Sequence, residues 1–119
     1  MRGTTFTEDD VRLDRYQAWA RQVAIYPDVG NNLIYPALGL AGEAGEFCNK
    51  VKKVQRDHGG VLTEEMRDSL AKELGDVLWY LAACAWEIRY SLVKIAIMNL
   101  KVLFSRKDRG VLKGDGDER

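Results

Sequence analysis

The sequence predicts an all-α protein, a bundle of four to five helices. Two observations carry that prediction. Nowhere does the chain sustain the period-two alternation of β-branched and polar residues that marks a strand. Instead, four stretches carry apolar residues at helical spacing, separated by clusters of turn-forming residues.

Taken in order, the elements have these warrants. Thr7 followed by three acids reads as a cap with favourable charge in the first turn. The helix it opens carries Val11, Tyr16, Trp19, Ala20 and Val23 on one stripe and ends near Tyr26, before Pro27. "DVGNN" is turn material. Pro36 suits the first turn of a second helix, which runs to about Arg56 before "DHGG" breaks it. Thr63 caps a third helix whose apolar side is Leu70, Leu74, Val77, Leu78, Leu81 and Cys84. A break falls between Ile88 and Ser91 without Gly or Pro to mark it. Ser91 then caps a fourth helix carrying Leu92, Ile95, Ala96, Leu100 and Leu103. Residues 107–119, "KDRGVLKGDGDER", are polar and glycine-rich, a tail that composition alone makes flexible.

The 119 residues suit one domain spanning 1–119. So small a chain buries a modest share of its surface, and two-fold homo-oligomerisation, as a dimer or tetramer, would cover the remaining apolar stripes. Eighteen basic and 18 acidic residues cancel, so no global field attracts nucleic acid or an anionic membrane. No apolar run approaches a membrane span, and "MRGTTFTEDD" lacks the apolar core of a secretion signal. Cys48 and Cys84 read as two buried free thiols of a cytoplasmic protein, with no metal-type spacing.

One stretch resists the plain reading. "GLAGEAGEF" places Gly39, Gly42 and Gly45 in a helix, although glycine costs a helix about 1 kcal/mol relative to alanine. Glu43 and Glu46 stand beside them at i and i+3, on one face. The third helix repeats the device with Glu73, Gly75 and Asp76. Two helices joined by a short break pack antiparallel, which can bring both acidic pairs together. A hard divalent cation would relieve their repulsion, and glycines would let a helix or ligand approach the backbone. The competing reading is a solvated face, with Glu46 paired to Lys50 and Glu73 to Lys72. Against it, both pairs lie amid Leu38, Leu40, Phe47, Leu74, Val77 and Leu78.

"GLAGEAGEFCNKVKK" followed by "KELGDVLWYLA" resembles the MazG-like nucleoside triphosphate pyrophosphohydrolases, whose signature is E-x-x-E, a spacer, then E-x-x-D. Here that is Glu43, Glu46, 26 intervening residues, then Glu73 and Asp76. "YQAWA", "YPALGL", Asn99 and the tail extend the likeness over roughly Tyr16 to Arg119. The resemblance implies magnesium-dependent hydrolysis of a nucleoside triphosphate to monophosphate and pyrophosphate, with manganese able to substitute, in an oligomer that removes unwanted nucleotides. It makes the four acids the catalytic metal ligands. Lys50 and Lys53, one and two turns beyond Glu46, would meet phosphate. On the fourth helix Asn99 and Arg106 match, but Val102 stands where similar proteins carry lysine, and Lys101 is about 100° around the helix. The tail would fold over the nucleotide, with Arg109 or Arg119 near phosphate. Trp19 is the candidate for stacking on a base, Trp79 reads as core, and His58 as a plain exposed turn residue. Glu64, Glu65 and Glu87 lie outside the signature and serve as neutral controls. A ferritin-like di-iron bundle needs Glu-x-x-His twice, and the one histidine follows Gln55. The remaining rival is a helical interaction module without catalytic activity.

Overall fold

A computed structural model describes residues 6–119; the reading of residues 1–5 as the start of a leaderless N-terminus lies outside them. Four helices follow one another: α1 (Leu13–Arg21), α2 (Ile34–His58), α3 (Glu64–Glu87) and α4 (Leu92–Asp108). No strand occurs among the described residues, so the expected all-α class holds.

The caps explain most boundaries. Thr63 Oγ1 accepts from the Met66 amide at 3.2 Å, and Ser91 Oγ accepts from the Lys94 amide at 3.1 Å. α2 runs two residues past the expected end, through His58, because the left-handed break falls on Gly59 (φ 59°). The corner between α3 and α4 is built without glycine. Arg89 takes φ 65°, and the Tyr90 amide reaches back to the Ala85 carbonyl at 2.9 Å. Gln17 stitches this corner: its amide donates to the Tyr90 carbonyl at 3.0 Å and accepts from the Leu92 amide at 3.0 Å.

The first helix differs from expectation. Thr7 caps only a separate turn, in which the Asp10 and Val11 amides both donate to its carbonyl. α1 starts at Leu13 and stops at Arg21. The chain from Gln22 to Leu33 instead wraps around the C-terminal end of α3, held there by Glu87. That carboxylate accepts from the Tyr26 hydroxyl, from the Gly30 amide at 2.9 Å and from the Asn32 amide at 3.0 Å. Burial alone would raise the pKa of Glu87; the three donors and the nearby Arg89 charge outweigh it and hold the carboxyl below its ordinary range. Glu87 is therefore a latch and cannot serve as the neutral control expected above.

α2 and α3 form a long hairpin, with α1 across α3. Where α1, α3 and α4 meet, Ala82, Ala85 and Leu92 are buried against Tyr16 and Ile95. Gly39 shows why one helical glycine is present: a Cβ there would overlap the Tyr80 ring of α3. A Cβ at Gly42, Gly45 or Gly75 would meet nothing, so within one chain these three do not serve helix packing. Of the two thiols, Cys84 is half-buried, but Cys48 is exposed, because its side of α2 faces away from α3.

α4 leans on α1 and on the end of α3 and does not pack on α2. Ile97, Met98, Leu100, Val102 and Phe104 are all exposed along it. The chain exposes 9116 Å², where a compact monomer of this mass exposes about 6,500 Å². Its radius of gyration is 17.2 Å, against about 13.5 Å for a compact domain of this length. The tail is not left loose by its composition: Arg106, Arg109 and Arg119 donate to the Asp117, Arg119, Val111, Leu112 and Gly116 carbonyls and close it into turns against the end of α4.

Two stability outcomes follow. Glu87→Gln should cost about 1–3 kcal/mol in thermal or denaturant melts. A carboxylate whose folded pKa is lowered contributes stability above its unfolded pKa and loses it as pH falls through the folded value. The wild type should therefore lose its advantage over Glu87→Gln below about pH 4.3. Among the glycines, Gly39→Ala should lower the melting temperature, whereas Gly75→Ala should gain up to about 1 kcal/mol; equal losses at both positions would contradict the packing described.

Candidate functional site

The hairpin brings three of the four signature acids together. Glu43 from α2 and Glu73 and Asp76 from α3 each offer a carboxylate oxygen, all within 4.8 Å of one another. Glu43 and Glu73 are half-buried and Asp76 is exposed. Glu46, one turn along α2, faces solvent, and its oxygens lie outside this group. It is still close enough to act on Glu43. Burial, then the charges of Asp76, Glu73 and Glu46, then a hydrogen bond with Glu73 raise the Glu43 carboxyl above its ordinary range.

The surface pairs that would make these acids ordinary do not form. Lys72 pairs with Asp68 at 3.3 Å, away from Glu73. Lys50 crosses to the other helix, with its ammonium 2.7 Å from Glu73 Oε1 and donating to Ser69 Oγ at 3.0 Å. One ammonium against three carboxylates leaves the group short of positive charge. All three donors are hard oxygens, with no nitrogen or sulfur among them, and this set fits a hard divalent cation rather than a soft metal. Glu43, Glu73 and Asp76 could hold one directly, with Glu46 adding negative charge alongside.

What lies on either side is different in kind. Trp79, one turn beyond Asp76, walls an apolar cavity of about 420 Å³ with Phe6, Val11, Tyr16, Trp19 and Val23. Trp79 also donates its indole N–H to the Ala20 carbonyl at 3.2 Å, a packing role. Trp19 lies against the Phe6 ring, centroids 5.2 Å apart. Trp79, three residues beyond Asp76 on α3, places this cavity beside the acids, and burial and then the Asp76 charge raise the Tyr16 hydroxyl. Tyr80, seated over Gly39, is raised by burial and then by Tyr35, Glu43 and Asp76. One turn before Glu73, Ser69 lines a second cavity of about 310 Å³ with Lys50, Lys53, Val54, His58, Met66 and Leu70. Lys53 makes no ion pair among the described residues, and His58 is the last residue of α2 rather than part of the turn.

The remaining expected residues stand elsewhere. Asn99 is exposed on α4, which does not touch α2. The guanidinium of Arg106 donates to the Asp117 carbonyl at 2.7 Å, and that of Arg109 to Ser105 Oγ and the Arg119 carbonyl. Sequence reasoning missed Tyr16, Tyr80 and Ser69 as neighbours of the acids, and His58 as a wall of the lysine-lined cavity. Tyr80 and Ser69 had a signal, since each lies four residues along α3 from an acid and so on its face.

Comparison with known proteins agrees with the geometry. Residues 36–97, more than half of the chain and containing both acid pairs, match the MazG nucleotide pyrophosphohydrolase domain. "Gene 37 protein" of Mycobacterium phage L5 is 49% identical over 114 residues, covering 92% of this chain and 100% of the relative. No solved structure matches. No helix among the described residues is long and apolar enough to cross a membrane. With the acid pairs, the helical hairpin that joins them and the matched residues in agreement, the chain belongs to the MazG nucleotide pyrophosphohydrolase family.

Proposed function

We propose that the protein hydrolyses a nucleoside triphosphate to a monophosphate and pyrophosphate with magnesium, or manganese in its place, and that this clears unwanted nucleotides. The observation that carries the reading is an order along α3. An aromatic cavity, then three gathered carboxylates, then a lysine-lined cavity follow one another from Trp79 back to Ser69, over roughly 15 Å of helix. A nucleotide has the same sequence of chemistries: a flat apolar base, a phosphate chain that needs cations, and a terminal charge.

Each group has a task its position supports. Trp19 and Trp79 offer ring faces to the base. Glu43, Glu73 and Asp76, with Glu46 alongside, hold the cation. Lys50 and Lys53 meet the outer phosphates. Held by these acids, a divalent ion would supply charge neutralisation at the phosphate oxygens and a lowered pKa for the attacking water. A carboxylate left free of the ion, Glu46 being outside the gathered three, would take the proton of the attacking water. Most of the catalysis is thus positioning and charge neutralisation, as phosphoryl transfer requires.

The working unit in this reading is a homodimer or homotetramer. The apolar length of α4 and the surplus exposed area support it. Asn99 and Arg106 then reach a nucleotide in the site of another copy, since α4 does not approach α2 of its own chain. The alternative, an interaction module without catalysis, accounts for α4 but leaves the gathered acids unexplained.

Three outcomes test the reading. Glu43→Gln, Glu73→Gln and Asp76→Asn should each lower turnover about 100-fold or more, with Glu46→Gln also impaired and Glu64→Gln near normal. Phosphorus NMR should show pyrophosphate and a monophosphate, only with magnesium or manganese present. Full activity in Asp76→Asn, activity under complete chelation, or release of orthophosphate and a diphosphate would each sink the proposal. Sedimentation should give a multiple of 13.5 kDa, shifting toward the monomer in a Leu100→Ser, Phe104→Ser double variant; a wild-type monomer at micromolar concentration would contradict the assembly.

A further inference from the structure

Lys50 makes a contact that its place in the sequence does not suggest. Four residues beyond Glu46 on the same helix, it is set for a pair along α2. Its ammonium instead spans to α3 and lies 2.7 Å from Glu73 Oε1, with the Glu73 side chain 15% exposed and Lys50 38%. Ser69 Oγ, one turn before Glu73, takes a second hydrogen bond at 3.0 Å. No other cation stands within ion-pair distance of the gathered acids among the described residues. The same lysine lines the cavity shared with Lys53, His58 and Ser69. One ammonium therefore borders both the acids that would hold a cation and the space where phosphate would lie.

We propose that Lys50 is the resident counter-ion of the metal-free site, and that a divalent cation displaces it from Glu73 and so frees it to bind phosphate in the adjoining cavity. The proposal rests on the reading of Glu43, Glu73 and Asp76 as a cation site. The physical argument is a competition for one carboxylate. A divalent ion coordinated by Glu73 and its two neighbours brings twice the charge to the oxygen that Lys50 now pairs with, and two cations at that oxygen would repel. Ser69 gives the displaced ammonium a hydroxyl to keep while it turns toward Lys53. The consequence is an order of binding: the cation loads first, and loading creates the full phosphate site. A lysine that served structure alone would stay on Glu73 when the cation binds, which separates the two roles by experiment.

The test uses manganese alone, then manganese with pyrophosphate, on the full chain, followed by calorimetry and manganese EPR. Lys50→Met removes the competitor, so it should bind manganese roughly two- to fivefold tighter than wild type, while Lys50→Arg and Lys72→Met bind as wild type does. Without metal, Lys50→Met should melt below wild type, and saturating manganese should close that gap. Pyrophosphate should bind the manganese-loaded wild type more tightly than manganese-loaded Lys50→Met. Lys50→Gln serves as a second neutral variant if Lys50→Met folds poorly. Equal or weaker manganese binding by the neutral variants overturns the competition, and equal pyrophosphate binding overturns the release. Manganese binding to neither wild type nor variants overturns the cation site itself and this proposal with it.

Discussion

Carboxylates gathered between two helices repel, and the rest of this molecule is arranged around that repulsion. Glu43, Glu73 and Asp76 meet because α2 and α3 pack along their length and because each acid sits on the facing surface of its helix. A loop between the helices so short that it holds only residues 59–63 fixes their register. Among the described residues the charge this creates is answered by a single lysine, and Glu43 responds by holding its proton more tightly than a free glutamate would. Such a group is a poor way to stabilise a fold and a good way to bind a cation, and this asymmetry is the physical case for a function.

The second constraint is area. Four helices in a chain this short do not close a core, and three of the few buried positions among the described residues are alanines, Ala82, Ala83 and Ala85. Small side chains let α1, α3 and α4 approach closely at one corner, and most of the large apolar side chains lie outside it. The stability of that corner depends on polar stitching, by Gln17 across the turn into α4 and by Glu87 under the loop from Tyr26 to Asn32. α4 then extends from the corner with apolar side chains on its exposed sides.

Much of the fold was legible because it is local. Thr63 and Ser91 cap where their side chains predict, and the apolar stripes read for the third and fourth helices fall in helices. The acid pairs were legible for the same reason: i and i+3 on a helix share a face whatever the tertiary structure. What failed was non-local. The first helix is shorter than its stripe because Glu87, more than fifty residues away, draws Tyr26 and Asn32 into a loop. The break at Arg89 was placed correctly by Ser91, but the left-handed residue was an arginine rather than a glycine, which no pattern reveals. The competing reading paired Lys50 with Glu46 because spacing describes one helix at a time; its ion-pair partner, Glu73, is on the next. The three glycines with open space beside them remain legible only as an anomaly, since nothing within one chain occupies that space.

In the proposed function Glu43, Glu73 and Asp76 form one cation site. Manganese is paramagnetic and broadens the NMR signals of nearby nuclei. Titrated at sub-stoichiometric amounts into labelled protein, it should broaden the amides of Glu43, Glu73 and Asp76 and the Trp79 indole N–H first, leaving the Trp86 indole and the amides of Glu64 and Asp115 sharp. Uniform broadening at exposed acids along the whole chain, with no preference for the hairpin, would contradict the account.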